Sequence, residues 1–280
     1  MSADVAAPAV LIAQGPSGAP SALRVWAWLW PKLGAIALAL TVWQVVVWSG
    51  WKPDYVLPGP LAVFERLAND LSQGDFYVGV ASTLRRALAG YAIAVIVGTT
   101  LGVLVARIRV LREAVGSAVL GFQSMPSIAW FPLAILFFQQ SEAAILFVVI
   151  LGAAPAVANG LLSGVDHIQP LLIRVGRMMG ARGFGLYRHV ILPAALPGFV
   201  GGLKQGWAFA WRSLMAGELI VIVAHQPSLG QQLQFARDLA DAQQMLALMM
   251  VIFVVGVLID GVFGRADKAI RRRWGLVPSW

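Results

Sequence analysis

Long apolar runs constrain this chain more than any other feature of its sequence. A helix that crosses a bilayer needs about 20 consecutive, mostly apolar residues, and the 280-residue chain holds several such runs. Only 12% of its residues are charged, about half the share of a soluble domain. We therefore predict an all-α integral membrane protein with about six transmembrane helices. They are expected at 33–50, 87–106, 115–138, 143–164, 196–223 and 245–264.

Basic residues predict the orientation of these spans, because loops rich in Lys and Arg stay in the cytoplasm. In the six-span layout 14 of the 21 Lys and Arg residues lie on one side, five on the other and two within the fifth span. Arg85 and Arg86 are assigned to the outer side. Both termini are then cytoplasmic: a tail and interfacial helix at 1–32, a transmembrane domain at 33–264 and a basic tail at 265–280. The net charge of +8 is attributed to anionic lipid rather than nucleic acid.

The segment 166–197 is much longer than a turn between two spans requires. We predict two short helices in this segment, at 170–179 and 185–190. They are divided by the glycine-rich run GARGFG, where glycine permits a sharp turn. Pro193 and Pro197 are expected to separate this segment from the fifth span. A basic cytoplasmic loop of about thirty residues offers a surface that another protein can hold.

Several motifs resemble those of a known family. Gly180 precedes VILP, which ends at Pro193, by the interval found in the EAA signature of permease subunits of ATP-binding-cassette (ABC) importers. The runs LPGPLAVF, SMPSIAWFPLAILFF and AWRSLMAGELI are similar to those of the branch that imports aliphatic sulfonates, taurine, nitrate, bicarbonate and pyrimidine precursors. The resemblance implies the type I importer permease fold in a bacterial plasma membrane. It also implies that 166–197 is the coupling helix, which sits in a groove of the ATPase.

The resemblance also implies partners and coupling residues. A pair of ATP-binding subunits would dock on the coupling loop, an extracytoplasmic binding protein would deliver substrate, and a second permease copy would complete a homodimer. Where the family signature has glutamate, this chain has Arg174. This change predicts an acidic partner in the ATPase groove, or a side chain that faces solvent or lipid headgroups. The implied ATPase-coupling residues are Arg174, Gly176, Gly180, Ala181, Leu192 and Pro193.

Prolines and glycines mark two of the predicted spans. Pro126 and Pro132 fall inside the third span, where proline is tolerated only if neighbours or a cavity satisfy the freed carbonyls. This helix, with Trp130, is therefore predicted to line a passage, or else to pack as a simple kink. The fifth span carries a glycine at every fourth position, which predicts close contact with another helix. These glycines are Gly198, Gly202 and Gly206.

Two charged residues lie in the outer half of the fifth span. Charge inside a membrane is expensive and is by default a functional hypothesis. Arg212 and Glu218 are six residues apart, roughly 120° around a helix, so each needs its own partner. We predict that Arg212 lines the passage and attracts an anion, and that Glu218 braces a gate. Snorkelling or internal ion pairs remain open for both.

Absent motifs narrow the function further. None of the four lysines follows a glycine, so the phosphate-binding loop G-x-x-x-x-G-K-[ST] is missing, and ATP hydrolysis would belong to a separate subunit. There is no cysteine and no H-E-x-x-H, and we expect no metal, cofactor or catalytic residue. A permease for a small anion is predicted, with aliphatic sulfonate first and nitrate, taurine, bicarbonate or pyrimidine precursors as alternatives. An ion-coupled carrier would need midplane carboxylates or internal symmetry. A membrane enzyme would need a cluster of His, Asp or Glu residues. The sequence shows none of these patterns.

Overall fold

The computed structural model describes residues 21–108, 111–112, 121, 123–224 and 226–273. All regular structure within these residues is helical, which confirms the all-α prediction. The chain divides into two compact units, Met1–Pro60 and Leu61–Trp280. The predicted tail at 1–20 and the last seven residues of the basic tail lie outside the described residues.

The first unit consists mainly of one helix, α1 (Ser21–Trp48), which runs through Pro31 without a break. The predicted interfacial segment and the first span therefore form a continuous helix, and its part Leu29–Trp48 is long and apolar enough to cross a membrane. The Trp43 indole N–H donates to the carbonyl of Pro58 at 3.1 Å, which ties the following loop to the helix. Trp48 and Trp51 are exposed at the end of α1, as is typical of residues at a membrane interface.

The second unit is built from helices of very different lengths. Long apolar helices are separated by shorter elements, and a π turn at Tyr187–Ile191 precedes the helix that begins at Leu192. The helices are α2 (Pro60–Leu71), α3 (Gly74–Arg107), a 3-10 turn (Ser127–Trp130), α4 (Phe131–Phe138), α5 (Glu142–Asp166), α6 (Pro170–Met178), α7 (Gly183–Leu186), α8 (Leu192–Ile220), α9 (Leu229–Asp238) and α10 (Ala242–Arg273).

Among the described residues, four helices are long and apolar enough to span a membrane, and they lie within α1, α3, α5 and α10. Helix α8 has 29 residues, a length of about 44 Å, but Lys204, Arg212 and Glu218 make it less apolar. Residues 115–120 and 122 of the third predicted span lie outside the described residues. Its described part, 121 and 123–138, includes the 3-10 turn and α4.

The two prolines of this third segment lie in different positions. Pro126 has φ −57° and ψ +126°, outside the helical region, and immediately precedes the 3-10 turn. The predicted span is therefore interrupted at Pro126, where proline removes no helical hydrogen bond. Pro132 lies in the first turn of α4, which directly continues the 3-10 turn in one helical stretch, Ser127–Phe138.

Helix α3 extends well beyond the second predicted span. It has 34 residues, about 51 Å, and it begins thirteen residues before that span. Arg85 and Arg86, which the charge count assigned to the outer side, thus lie on this helix. The side chain of Arg86 is only 1% exposed, because a carboxylate from α8 neutralises it.

Close backbone contact between α5 and α8 forms the centre of the second unit. A Cβ atom added at Gly160 would lie 2.2 Å from Cα of Gly202, and one added at Gly198 would lie 2.4 Å from Cα of Gly164. Only glycine permits this approach. Helix α3 packs against α5 in the same way, since a Cβ at Gly98 would lie 2.5 Å from the carbonyl oxygen of Ala154. The predicted glycine face of the fifth span is confirmed as a helix contact.

Candidate functional site

The predicted coupling loop turns sharply at a glycine. After α6, Gly180 has a φ of +88°. Its N–H donates to the carbonyl of Arg177 at 3.1 Å, and the N–H of Ala181 donates to the carbonyl of Gly176 at 3.0 Å. These two bonds form a Schellman motif at the end of the helix. The motif requires a residue in the left-handed helical conformation, for which glycine is preferred. The sharp turn that the sequence predicted in this run is confirmed.

The second half of the loop continues into α8 instead of ending before it. The chain passes from α7 through the π turn directly into α8, and Pro197 lies inside that helix. The N–H of Leu192 donates to the carbonyl of Tyr187, five residues back, and this wider turn accommodates the ring of Pro193. The prediction that Pro193 and Pro197 separate the loop from the fifth span is therefore wrong. Helix α8 and the loop form one continuous element.

Helix α6 is fixed on this element by Gly176. The residue is buried, and a Cβ there would lie 2.8 Å from Cγ2 of Val190. The opposite side of the loop is exposed. Arg174 is exposed, as is Leu192 at the start of α8. The large apolar side chains exposed on the loop are Leu171, Leu172, Val175, Met178, Met179 and Phe184.

This exposed apolar side, together with Arg174, will be called the docking face; its apolar members are the six side chains just named. Met178 is 87% exposed, although a contiguous apolar patch is normally covered by a partner. Arg174 forms no ion pair within the part of the chain that the structure describes. A face of this kind fits a protein partner that supplies both an apolar groove and a negative charge.

A cavity of about 610 Å³ lies between α8 and α10. Trp207 and Trp211 stack on one wall with their ring centroids 6.3 Å apart. The wall is otherwise apolar apart from two charged residues, Arg212 and Asp260. The apolar side chains of the cavity include Trp207, Trp211, Met215, Met249, Ile252 and Phe253.

The charges around this cavity do not cancel. Asp260 is paired with Lys204, whose Nζ lies 3.5 Å from the carboxylate. Arg212 is exposed, its Nε–H donates to the carbonyl of Ala208 at 3.1 Å, and its guanidinium lies 5.2 Å from the ring of Phe209. Arg212 has no carboxylate partner among the described residues. The lining therefore carries one guanidinium without a carboxylate partner, while Lys204, outside the lining, neutralises Asp260.

Glu218 has a different environment, in the interior of the second unit. It is fully buried, and Arg86 donates to its Oε1 at 3.1 Å. The hydroxyl of Thr83 and the N–H of Gly230 donate to Oε2 at 2.9 and 3.1 Å. The N–H of Leu229 in turn donates to the Thr83 hydroxyl at 2.9 Å. This group will be called the buried charge cluster, and it joins α3, α8 and the start of α9.

Two further contacts extend the buried charge cluster to the protein surface. Arg86 donates to the side-chain oxygen of Gln226 at 2.9 Å, and its Nε lies 3.4 Å from Glu142. Arg85 donates to the same Glu142 carboxylate at 2.9 Å. Arg86, Thr83 and Gln226 were missed in the sequence, because Arg86 and Glu218 are 132 residues apart and no local spacing relates them.

The predicted passage residues do not all come together. Arg212 lines the cavity, whereas Glu218 lies in the buried charge cluster. Trp130 packs against the main apolar core, and Pro126 and Pro132 are exposed; none of these three lines the Arg212 cavity. Among the residues that the structure describes, no group of three His, Asp or Glu side chains could hold a metal ion.

Several known proteins resemble this chain in sequence. Residues 98–272 match the family described as binding-protein-dependent transport system inner membrane component. A probable ABC transporter permease protein of Brucella melitensis is 28% identical, over 85% of this chain and 95% of that protein. The taurine transport system permease protein TauC of Escherichia coli is 28% identical, over 83% of this chain and 88% of TauC. Other relatives are named bicarbonate and riboflavin transport system permease proteins.

The fold has solved counterparts as well. An inward-facing structure of the MetNI methionine ABC transporter matches with a TM-score of 0.59 and 24% identity, over 69% of this chain and 94% of that one. The fold of long helices thus recurs in a known importer. With the match over residues 98–272, this chain belongs to the family of binding-protein-dependent transport system inner membrane components, the permease subunits of ABC importers.

Proposed function

We propose that this permease passes a small organic anion, and that its substrate class is the aliphatic sulfonates. Arg212 on the aromatic wall of the α8–α10 cavity carries this proposal. A guanidinium binds sulfonate oxygens through charge-assisted hydrogen bonds, while the tryptophan and methionine walls suit an alkyl group. Taurine and pyrimidine precursors share these features in part. Nitrate and bicarbonate are alternatives. Either anion could bind the Arg212 guanidinium, but neither has an alkyl group that would contact the apolar walls.

The energy for transport comes, in this proposal, from a pair of ATP-binding subunits that dock on the docking face. The continuous path from α7 through the π turn into α8 supports coupling, because a displacement of the loop moves the helix that carries Arg212. The remaining coupling residues act within this unit: Gly176 and Gly180 shape the loop, and Arg174 meets an acidic group. Pro193 sits where the loop joins α8.

Membership of the family supports the other proposed partners. A binding protein outside the cytoplasm delivers the substrate, and a second copy of the permease completes the passage in the plasma membrane, with both termini in the cytoplasm. The buried charge cluster lies at the opposite end of α8 from the coupling loop. Glu218 there braces the outer gate. Pro126, Trp130 and Pro132 line the passage from the side of α4.

The docking face predicts a loss of ATPase binding in one variant. Met178→Asp places a carboxylate on the apolar side of α6, where burial in an interface without a partner is costly. We expect the amount of ATPase that co-purifies to fall at least tenfold, with binding-protein-stimulated ATP hydrolysis in liposomes falling with it. The matched control is Leu239→Asp, since Leu239 is 81% exposed but follows α9. Equal ATPase recovery with both variants would contradict docking at this face.

The cavity predicts a separate effect on the substrate. Arg212→Gln removes the guanidinium from the cavity lining, and a hydrogen bond to a charged group contributes about 1.5–3 kcal/mol. Uptake of a radiolabelled alkanesulfonate into liposomes containing the whole transporter should therefore fall roughly tenfold to a hundredfold. ATPase recovery should not change.

Arg212→Lys and Arg237→Gln are the controls for this measurement. The lysine keeps the charge and should retain part of the uptake, and Arg237 is an exposed arginine of α9 away from the cavity. Full uptake by Arg212→Gln would reject the anion role. Uptake that follows an ion gradient without ATP would reject the importer and favour a secondary carrier.

A further inference from the structure

A smaller cavity of about 220 Å³ lies where α3 and α5 end and the π turn leads into α8. Its inner wall is apolar, and its edge carries the rings of Phe184 and Tyr187 with the guanidinium groups of Arg107 and Arg188. It is distinct from the Arg212 cavity and shares no residue with it. The apolar wall consists of Val103, Ala106, Leu161, Val165, Ile191, Leu192 and Ala195.

The edge of this cavity is positively charged. The Arg107 guanidinium lies 4.9 Å from the centre of the Tyr187 ring, and Arg188 is exposed, without an ion pair in the described ranges of the chain. Asp166, the acidic residue at the end of α5, is bound by Arg112. Of the described residues that line the cavity, none is acidic.

The cavity also lies at the ends of two helices that could cross a membrane. Arg107 is the last residue of α3, and Leu161 and Val165 belong to the final turns of α5, and both helices are long and apolar enough to cross a bilayer. Arginine at such an end lies at headgroup level, next to lipid phosphates, while apolar side chains one or two turns deeper face acyl chains.

We propose that this cavity binds one anionic phospholipid. Its phosphate lies between Arg107 and Arg188, and the first part of an acyl chain lies against Leu161, Val165 and Ile191. The cytoplasmic leaflet is the source, which rests on the proposed orientation of the importer. Because Tyr187 and Arg188 belong to the π turn, the bound lipid holds the base of the coupling loop against α3. Anionic lipid is therefore a regulator of coupling.

Lipid retention by the purified full-length chain tests this site. Native mass spectrometry would follow phosphatidylglycerol against phosphatidylcholine, for the wild type and for Arg107→Gln/Arg188→Gln. Each arginine near an anionic lipid surface adds to the binding free energy of the lipid. Losing both should therefore weaken retention of phosphatidylglycerol about tenfold to thirtyfold. Phosphatidylcholine should be unaffected. Val103→Trp, which fills the cavity without changing charge, should produce the same loss.

The matched control removes two exposed basic residues near the end of α10, in Arg265→Gln/Lys268→Gln, and should retain phosphatidylglycerol as the wild type does. Equal loss in this control, or no loss in the arginine variant, would overturn the site. Displacement of the lipid by glycerol phosphate alone would overturn the lipid as ligand in favour of a soluble phosphate. Retention is measured without ATPase or substrate, so these outcomes are separate from failure of the transport proposal.

Discussion

Replacing Arg86 by methionine is expected to destabilise the protein by about 3–5 kcal/mol, because it leaves the Glu218 carboxylate buried without its charge partner. The side chains of Arg86 and Glu218 are 1% and 0% exposed, so water cannot take the place of the missing guanidinium. Glu218→Met should cost a similar amount for the reciprocal reason. Unfolding of the purified chain in detergent, followed by circular dichroism, measures both variants.

The neighbouring arginine provides a matched control. Arg85 also contacts a carboxylate, Glu142, but its side chain is 63% exposed, and exposed ion pairs contribute at most about 1 kcal/mol. Arg85→Met should therefore lie within about 1 kcal/mol of the wild type. A cost equal to that of Arg86→Met would show that burial does not decide the effect.

The double variant Arg86→Met/Glu218→Met separates stability from function. Removing both charges of a buried pair is often nearly neutral, so this variant should be more stable than either single one. It should still lack the hydrogen bonds that hold Gly230 and Thr83 to α8. If Glu218 braces the outer gate, the whole transporter assembled with the double variant will hydrolyse ATP several-fold faster without binding protein. Restored stability with normal, binding-protein-dependent hydrolysis would assign the cluster to the fold alone.

The buried charge cluster also explains where prediction from the sequence failed. By hydropathy, Arg86 lies just before an apolar run, and the predicted span therefore began at residue 87. The carboxylate that permits burial of this arginine comes from α8, 132 residues away, and no pattern within a single helix contains that information. Glu218 itself was recognised, because a lone charge in an apolar span always requires a partner.

Local signals succeeded where the backbone itself was the cause. The positive φ of Gly180 and the approach of Gly202 to α5 both depend on glycine having no Cβ, a property that the sequence states directly. Prolines were less reliable. Pro193 and Pro197 predicted breaks, but the π turn accommodates the first and α8 continues through the second. A proline therefore removes one backbone hydrogen-bond donor, and the surrounding structure determines whether the helix ends there.

Two adjacent glycines of α8 should respond in opposite ways to the same substitution. A Cβ at Gly202 would lie 2.6 Å from Cα of Gly160, whereas a Cβ at Gly201 would meet nothing within 4 Å. Gly202→Ala forces two backbones apart, and overpacking of this kind costs about 1–3 kcal/mol; Gly202→Leu should exceed that range. Gly201→Ala should be neutral or should stabilise the helix by up to about 1 kcal/mol, the difference in helix propensity.

The contrast between these two glycines tests what holds the spans together. Helices in lipid gain little from burying apolar surface against each other, so close backbone packing supplies much of their attraction. Thermal unfolding of Gly201→Leu and Gly202→Leu in the same detergent compares two side chains of equal hydrophobicity on one helix. Only the Gly202 variant should unfold at a lower temperature and lose the α5–α8 contact. Equal behaviour of the two variants would mean that the glycine face does not stabilise the permease.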